Sequence, residues 1–215
     1  GRGDLYHTPT GSLNVATGSD ALRSNTTGGY NVASGYEALN SNTTGANNTA
    51  TGKGALQNNT TATGNTAFGY AALNANTTGT AHVAVGQGAL AANTTASNNT
   101  AVGFEALGEI VAGHSNTAVG YRALQNSDGT PVEKVAIGYE TMGSEGSNAL
   151  ADYNTAVGAR ALQDIDSGHQ QVAVGWLAAA NQTFGYRNTA IGTLALEKST
   201  SAADNVAVGQ DALRE

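Results

Sequence analysis

Short apolar triplets alternate with polar turns along the chain, and the alternation keeps a fixed register. One glycine recurs at Gly18, Gly35, Gly52, Gly69, Gly86, Gly103, Gly120, Gly138, Gly158, Gly175, Gly192 and Gly209. The intervals are 17 residues except for one of 18 and one of 20. Two residues before each glycine stands Ala, from Ala16 to Ala207, and three before it stands Val or Thr. The position just before the glycine is Val or Ile in eight copies: Val85, Val102, Val119, Ile137, Val157, Val174, Ile191 and Val208. Asn precedes most triplets, and Leu stands four residues after most of the glycines. The consensus reads N-[TV]-A-[VI]-G-x-x-A-L, and in the early copies N-T-T-[GA] follows it.

Each part of this unit has a physical reading. A triplet of β-branched residue, Ala and β-branched residue suits a short strand. Successive side chains of a strand point to opposite faces. The Ala therefore faces a tight interior, and the branched pair faces outward, where it too needs cover. An apolar outer face that runs from copy to copy points to self-association. The glycine ends the strand by permitting a backbone geometry or a close approach that a Cβ blocks. The x-x-A-L segment is expected to be a second extended piece whose Leu plugs the coil. N-T-T-G reads as turn chemistry, with Gly supplying a positive φ. The Asn before each strand is placed to form a ladder of stacked amides.

Seventeen residues make one coil of a β-solenoid, and repeats of this kind stack in one dimension. Glycine and Asn-Thr-Thr recur too often for helices to survive between them. At the strand spacing, twelve coils would form a rod roughly 55–60 Å long. The domain division that follows is an N-terminal cap or linker at 1–13 and a β-roll of twelve repeats at 14–215.

Composition supports a repeat over a conventional core. Glycine accounts for 29 of 215 residues, and Leu, Ile, Val and Phe together number only 36. That apolar share normally indicates disorder. The formal net charge of −7 is too small for repulsion to be the cause. The absence of cysteine excludes disulfide scaffolds, thiolate metal sites and Cys nucleophiles. Nine Lys and Arg against sixteen Asp and Glu argue against a nucleic-acid partner. No apolar run approaches the length of a membrane span, so no membrane insertion by this segment is expected.

At this point the consensus resembles the YadA-like head repeats of trimeric autotransporter adhesins. It is similar as well to repeats in phage and injection-system tail fibres. The likeness runs from Asn14 to Leu213. It implies an all-β, left-handed parallel β-roll of about twelve 17-residue coils, packed side by side as an obligate homotrimer. It also implies a non-enzymatic attachment role, an extracellular location on a bacterial surface or a virion or injection-system fibre, and a host surface glycan or protein as partner. Family head repeats are often shorter. Here the extra residues fall in the Asn-Thr-Thr turn, which places the chain nearer the fibre-type members. The Val/Ile column from Val85 to Val208 is the expected trimer face.

Candidate binding residues fall in two groups. The position after the glycine is often aromatic, at Tyr36, Tyr70, Phe104, Tyr121, Tyr139 and Trp176. Such a stripe either stacks on sugar rings or packs between coils and subunits. The irregular copies form the second group, because insertions in a solenoid map to surface loops. They contribute Glu109 and Ile110 in the first, Asp128 and Pro131 in the second, and Glu145 and Asn148 in the longest.

Other features carry less. Arg2-Gly3-Asp4 spells an integrin-type tripeptide, as three residues at an end readily do by chance. Asp164-x-Asp166-x-Gly168 lacks the bidentate Glu of a calcium loop. The histidines His7, His82, His114 and His169 form no close ligand pair. A ring of three His7 about a threefold axis is the one conceivable metal arrangement, and nothing demands it. No phosphate loop, nucleophile elbow or recurring carboxylate pair is present, so no catalytic residue, cofactor or metal site is expected. Two alternatives remain open: a passive spacer of a longer fibre, and a solitary ice-binding solenoid built on the Thr-Thr ladders.

Overall fold

The structure is a computed structural model that describes residues 11–127, 132–145, 152–201 and 203–214. The fold is a parallel β-solenoid of about 11 turns, with no helix among the described residues. Twelve repeat strands delimit these turns. The chain divides into two compact units, residues 1–112 and 113–215.

The first unit holds six strands: β1 (Val15–Thr17), β2 (Val32–Ser34), β3 (Thr49–Thr51), β4 (Thr66–Phe68), β5 (Val83–Val85) and β6 (Thr100–Val102). Each pairs in parallel with the next, with Ala opposite Ala throughout. The sequence period therefore sets the register: a slip of one residue would turn every Ala outward. Ala33, Ala50, Ala67, Ala84 and Ala101 are fully buried. Leu22, Leu39, Leu56, Leu73, Leu90 and Leu107 fill the rest of the interior, also fully buried. Each such Leu contributes about 1.5–3 kcal/mol of apolar burial.

The second unit repeats this sheet with β7 (Thr117–Val119), β9 (Val135–Ile137), β11 (Thr155–Val157), β13 (Val172–Val174), β14 (Thr189–Ile191) and β15 (Val206–Val208). It adds a small parallel sheet of β8 (Asn126–Ser127), β10 (Ser144–Glu145) and β12 (Asp164–Ile165), in the order β12-β10-β8. These strands lie where the Asn-Thr-Thr turn is missing from the sequence.

Two local expectations are corrected. The x-x-A-L segment is a turn and not a second strand. Its Leu has φ near 50°, as at Leu39 (51°) and Leu90 (52°), and the residue two after the glycine is left-handed too, as at Glu37 (56°). Left-handed geometry costs a non-glycine residue roughly 1–2 kcal/mol. Hydrogen bonds to the adjacent coils offset it: Glu37 N–H donates to Ser19 O at 3.0 Å, and Leu39 N–H donates to Ala55 O at 3.1 Å. The second correction concerns Gly28, Gly45 and Gly79, whose φ is not positive. A Cβ on Gly28 would overlap the Gly45 carbonyl and the Asn25 side chain, so closeness between coils is what these positions respond to.

Most of the strand-ending glycines meet both conditions at once. All twelve have φ between 121° and 143°. At Gly52 an added Cβ would run into the backbone carbonyl of Gly69 in the next coil.

Two amide ladders run through the interior of the first unit. In one, the Asn before each strand accepts the next Asn's backbone N–H: Asn31 to Asn14 Oδ1 at 2.9 Å, Asn48 to Asn31 Oδ1 at 3.0 Å, and Asn65 to Asn48 Oδ1 at 3.0 Å. The other uses the Asn of N-T-T, read from sequence as turn chemistry. Asn42 Nδ2 donates to Asn25 Oδ1 at 2.8 Å, Asn59 to Asn42 at 2.8 Å, Asn76 to Asn59 at 3.2 Å and Asn93 to Asn76 at 3.0 Å. All of these N-T-T Asn side chains are buried. The second ladder ends because Ile110 occupies the next rung, which leaves Asn93 Oδ1 without a donor.

Candidate functional site

In-register stacking sets residues of equal repeat position above one another at about 4.8 Å per coil. The residue after the glycine therefore forms a column on each unit. In the first unit the column includes Tyr36, Lys53, Tyr70 and Phe104. Tyr36 and Tyr70 are exposed and Phe104 is half-buried. The Lys53 ammonium lies between the two tyrosines, 5.7 Å from the Tyr36 ring centre and 5.9 Å from that of Tyr70. Cation–π attraction of this kind at an exposed site is worth roughly 0.5–1 kcal/mol. A hydrogen bond with Glu37 raises the Tyr36 phenol above its ordinary pKa.

In the second unit the column reads Tyr121, Tyr139, Ala159, Trp176, Thr193 and Gln210. Tyr121 and Tyr139 stack on each other, with centroids 5.2 Å apart and planes 8° from parallel. The facing sides of this pair thus serve packing between coils. Arg122 lies over Tyr121 at 5.1 Å. Arg160 lies over Tyr139 at 5.8 Å, and its Nε donates to Glu140 Oε2 at 3.0 Å. A hydrogen bond with Glu140 is the main cause of a raised Tyr139 phenol pKa. Beside this cluster runs a shallow polar cleft lined by residues that include Arg122, Gln125, Glu140, Ser144 and Gln163. Trp176 is 51% exposed, with small residues one rung to either side.

The loop candidates fall differently. Glu109 is exposed, whereas Ile110 is fully buried as a rung of the interior and offers nothing to a partner. The signal for this was in the sequence, since Ile110 follows Asn93 by one full period. Glu145 places its backbone in β10, paired with Ser127 and Ile165. Asp128, Pro131 and Asn148 lie outside the described residues, as do Arg2-Gly3-Asp4 and His7.

The Val/Ile column stands on the outward face of its strands. Val85, Val102, Val119, Val157 and Val174 are half-buried, and Ile137, Ile191 and Val208 are exposed. The coil's own interior is filled by the Ala and Leu columns instead.

His82 substitutes for Asn in the first ladder and copies its bonding. Nδ1 accepts the Asn99 N–H at 3.2 Å as Oδ1 would, and Nε2 meets Ala96 O at 2.6 Å as Nδ2 would. Burial lowers its pKa. Elsewhere, His169 stacks on Tyr186 at 5.5 Å. Among the described residues no group of three or more His, Asp or Glu side chains could hold a metal ion. Burial raises the Asp164 pKa.

The threonine ladders are one residue wide. Thr26, Thr43, Thr60 and Thr77 each donate their hydroxyl to a carbonyl of the next coil, at 2.9–3.1 Å. Only the second Thr of each pair is exposed.

No family model, no curated protein and no solved structure matches the chain.

Proposed function

We propose that this chain is a non-enzymatic attachment segment of a trimeric surface fibre, working outside the cell against a host surface glycan or protein. The observation that supports this is the outward face of the main sheet in each unit. Branched and aromatic side chains stand exposed there among threonines: Val32, Phe68 and Val83 in the first unit, and Ile137, Val172 and Ile191 in the second. Exposed apolar side chains repeated along a regular sheet face call for a partner, and a second and third copy offer the same face in the same spacing. The consensus N-[TV]-A-[VI]-G-x-x-A-L adds the resemblance to trimeric head repeats of left-handed β-roll type. Threefold display would then multiply weak contacts into firm attachment.

The test is adhesion of the labelled full chain to a panel of bacterial and animal cells. Saturable binding to at least one cell type, competed by unlabelled protein, is the expected result. Absence of saturable binding across the panel overturns the attachment role.

A further inference from the structure

The second unit's aromatic column has a gap. Tyr121 and Tyr139 occupy adjacent rungs, Ala159 the next, and Trp176 the one after. The strands that carry these rungs pair without a break, Ala136 with Ala156 and Ala156 with Ala173. Tyr139 and Trp176 are therefore separated by two strand spacings, about 9.6 Å. Where the column is filled, the rings of Tyr121 and Tyr139 meet at 5.2 Å. At Ala159 the column carries only a methyl group.

We infer that this gap is a binding slot for one pyranose ring, walled by Tyr139 and Trp176 and floored by Ala159. This deepens the attachment reading and rests on it. A ring centred at the Ala159 level lies about 4.8 Å from each wall. A saturated sugar ring reaches both, turning its C–H faces to the two aromatic side chains. Arg160 and Glu140 stand at the rim, joined to each other by a 3.0 Å bond. They supply a donor fork and an acceptor of the kind that orients sugar hydroxyls. The guanidinium lies over the Tyr139 ring, 5.8 Å from its centroid, so it shares the Tyr139 wall of the slot and meets a bound sugar there. The chain's net charge of −7 favours a neutral sugar over an anionic one.

The chain has a single tryptophan, so its fluorescence reports on this slot. The experiment titrates the full chain with the methyl glycosides of glucose, galactose, mannose and N-acetylglucosamine, with calorimetry in parallel. A saturable signal with at least one glycoside is expected. Ala159→Tyr fills the gap with the side chain that two neighbouring rungs already carry, so the coil still stacks and binding is lost. Tyr139→Ala removes one wall and weakens binding about tenfold. The slot is overturned if none of the four glycosides gives a saturable signal, or if Ala159→Tyr binds as the unaltered chain does. The two readings separate cleanly. Adhesion to cells by a chain that binds none of the four glycosides sinks the slot and leaves attachment standing. Saturable glycoside binding by a chain that adheres to no cell keeps the slot and removes attachment.

Discussion

Asn25 and Asn59 occupy the same rung position in the N-T-T ladder, and both are fully buried, yet their loss should not cost the same. Replacing Asn59 by Ala removes three hydrogen bonds: to Asn42 Oδ1, to the Ala62 carbonyl, and from Asn76 Nδ2. The Ala62 carbonyl keeps Asn48 as a donor, and Asn76 keeps the Gly79 carbonyl as an acceptor. Asn42 Oδ1 has no other donor in the ladder and becomes a buried orphan. Replacing Asn25 removes two bonds, to the Gly28 carbonyl and from Asn42. It orphans no acceptor, because Asn14 still serves Gly28. A net hydrogen bond is worth about 0.5–1.5 kcal/mol, and a buried unsatisfied group costs about 1–3 kcal/mol. Asn25→Ala should therefore cost about 1–3 kcal/mol and Asn59→Ala about 2.5–7.5 kcal/mol. Urea unfolding of the full chain, followed by circular dichroism, measures both. Equal losses, within about 0.5 kcal/mol, would refute the orphan argument and reduce the ladder to generic packing.

Three further outcomes follow from the same interior. His82 is buried in its neutral form, bonded only to neutral partners at Asn65, Asn93, Ala96 and Asn99. Its folded pKa lies below its unfolded value, so the unfolded chain takes up the proton first. Stability is then full above about pH 6.5 and falls as pH drops below that value, by at most about 1.4 kcal/mol per pH unit. His82→Asn should restore the ladder and flatten this dependence, as urea midpoints at pH 7 and pH 5 would show; an unchanged slope would remove His82 as its source. Gly69→Ala sets a Cβ against the Gly86 carbonyl at a φ of 141° and should lower the thermal midpoint sharply, whereas Ala159→Gly, on the outer column, should barely move it. Leu73→Ala, at a fully buried position, should cost about 2–5 kcal/mol in urea, and a loss under about 1 kcal/mol would mean the coil collapses around the cavity.

The strands and their faces could be read from the sequence because period-two burial and a 17-residue repeat leave little freedom. Ala33 and Ala50 could only face inward once the branched residues beside them were set outward. The left-handed Leu39 and Leu56 could not be read in the same way. Nothing in the intrinsic preferences of leucine favours that conformation, and only the neighbouring coil's carbonyls stabilise it. The ladder role of the N-T-T asparagines was hidden for a related reason. Asn favours turns in isolation, and the ladder that buries Asn42 and Asn59 exists only after the coils stack. The aromatic column was visible as a list of residues. The gap at Ala159 emerged from the register, which sets Tyr139 and Trp176 two rungs apart.

Self-association of the exposed sheet face is the claim on which the fibre account turns. Its most direct test is the molar mass of the native chain in solution, by light scattering without denaturant. The account predicts three times the chain mass of 21.5 kDa. A mass equal to that of the single chain would contradict it, and would leave the outward Val and Ile columns without the partner they call for.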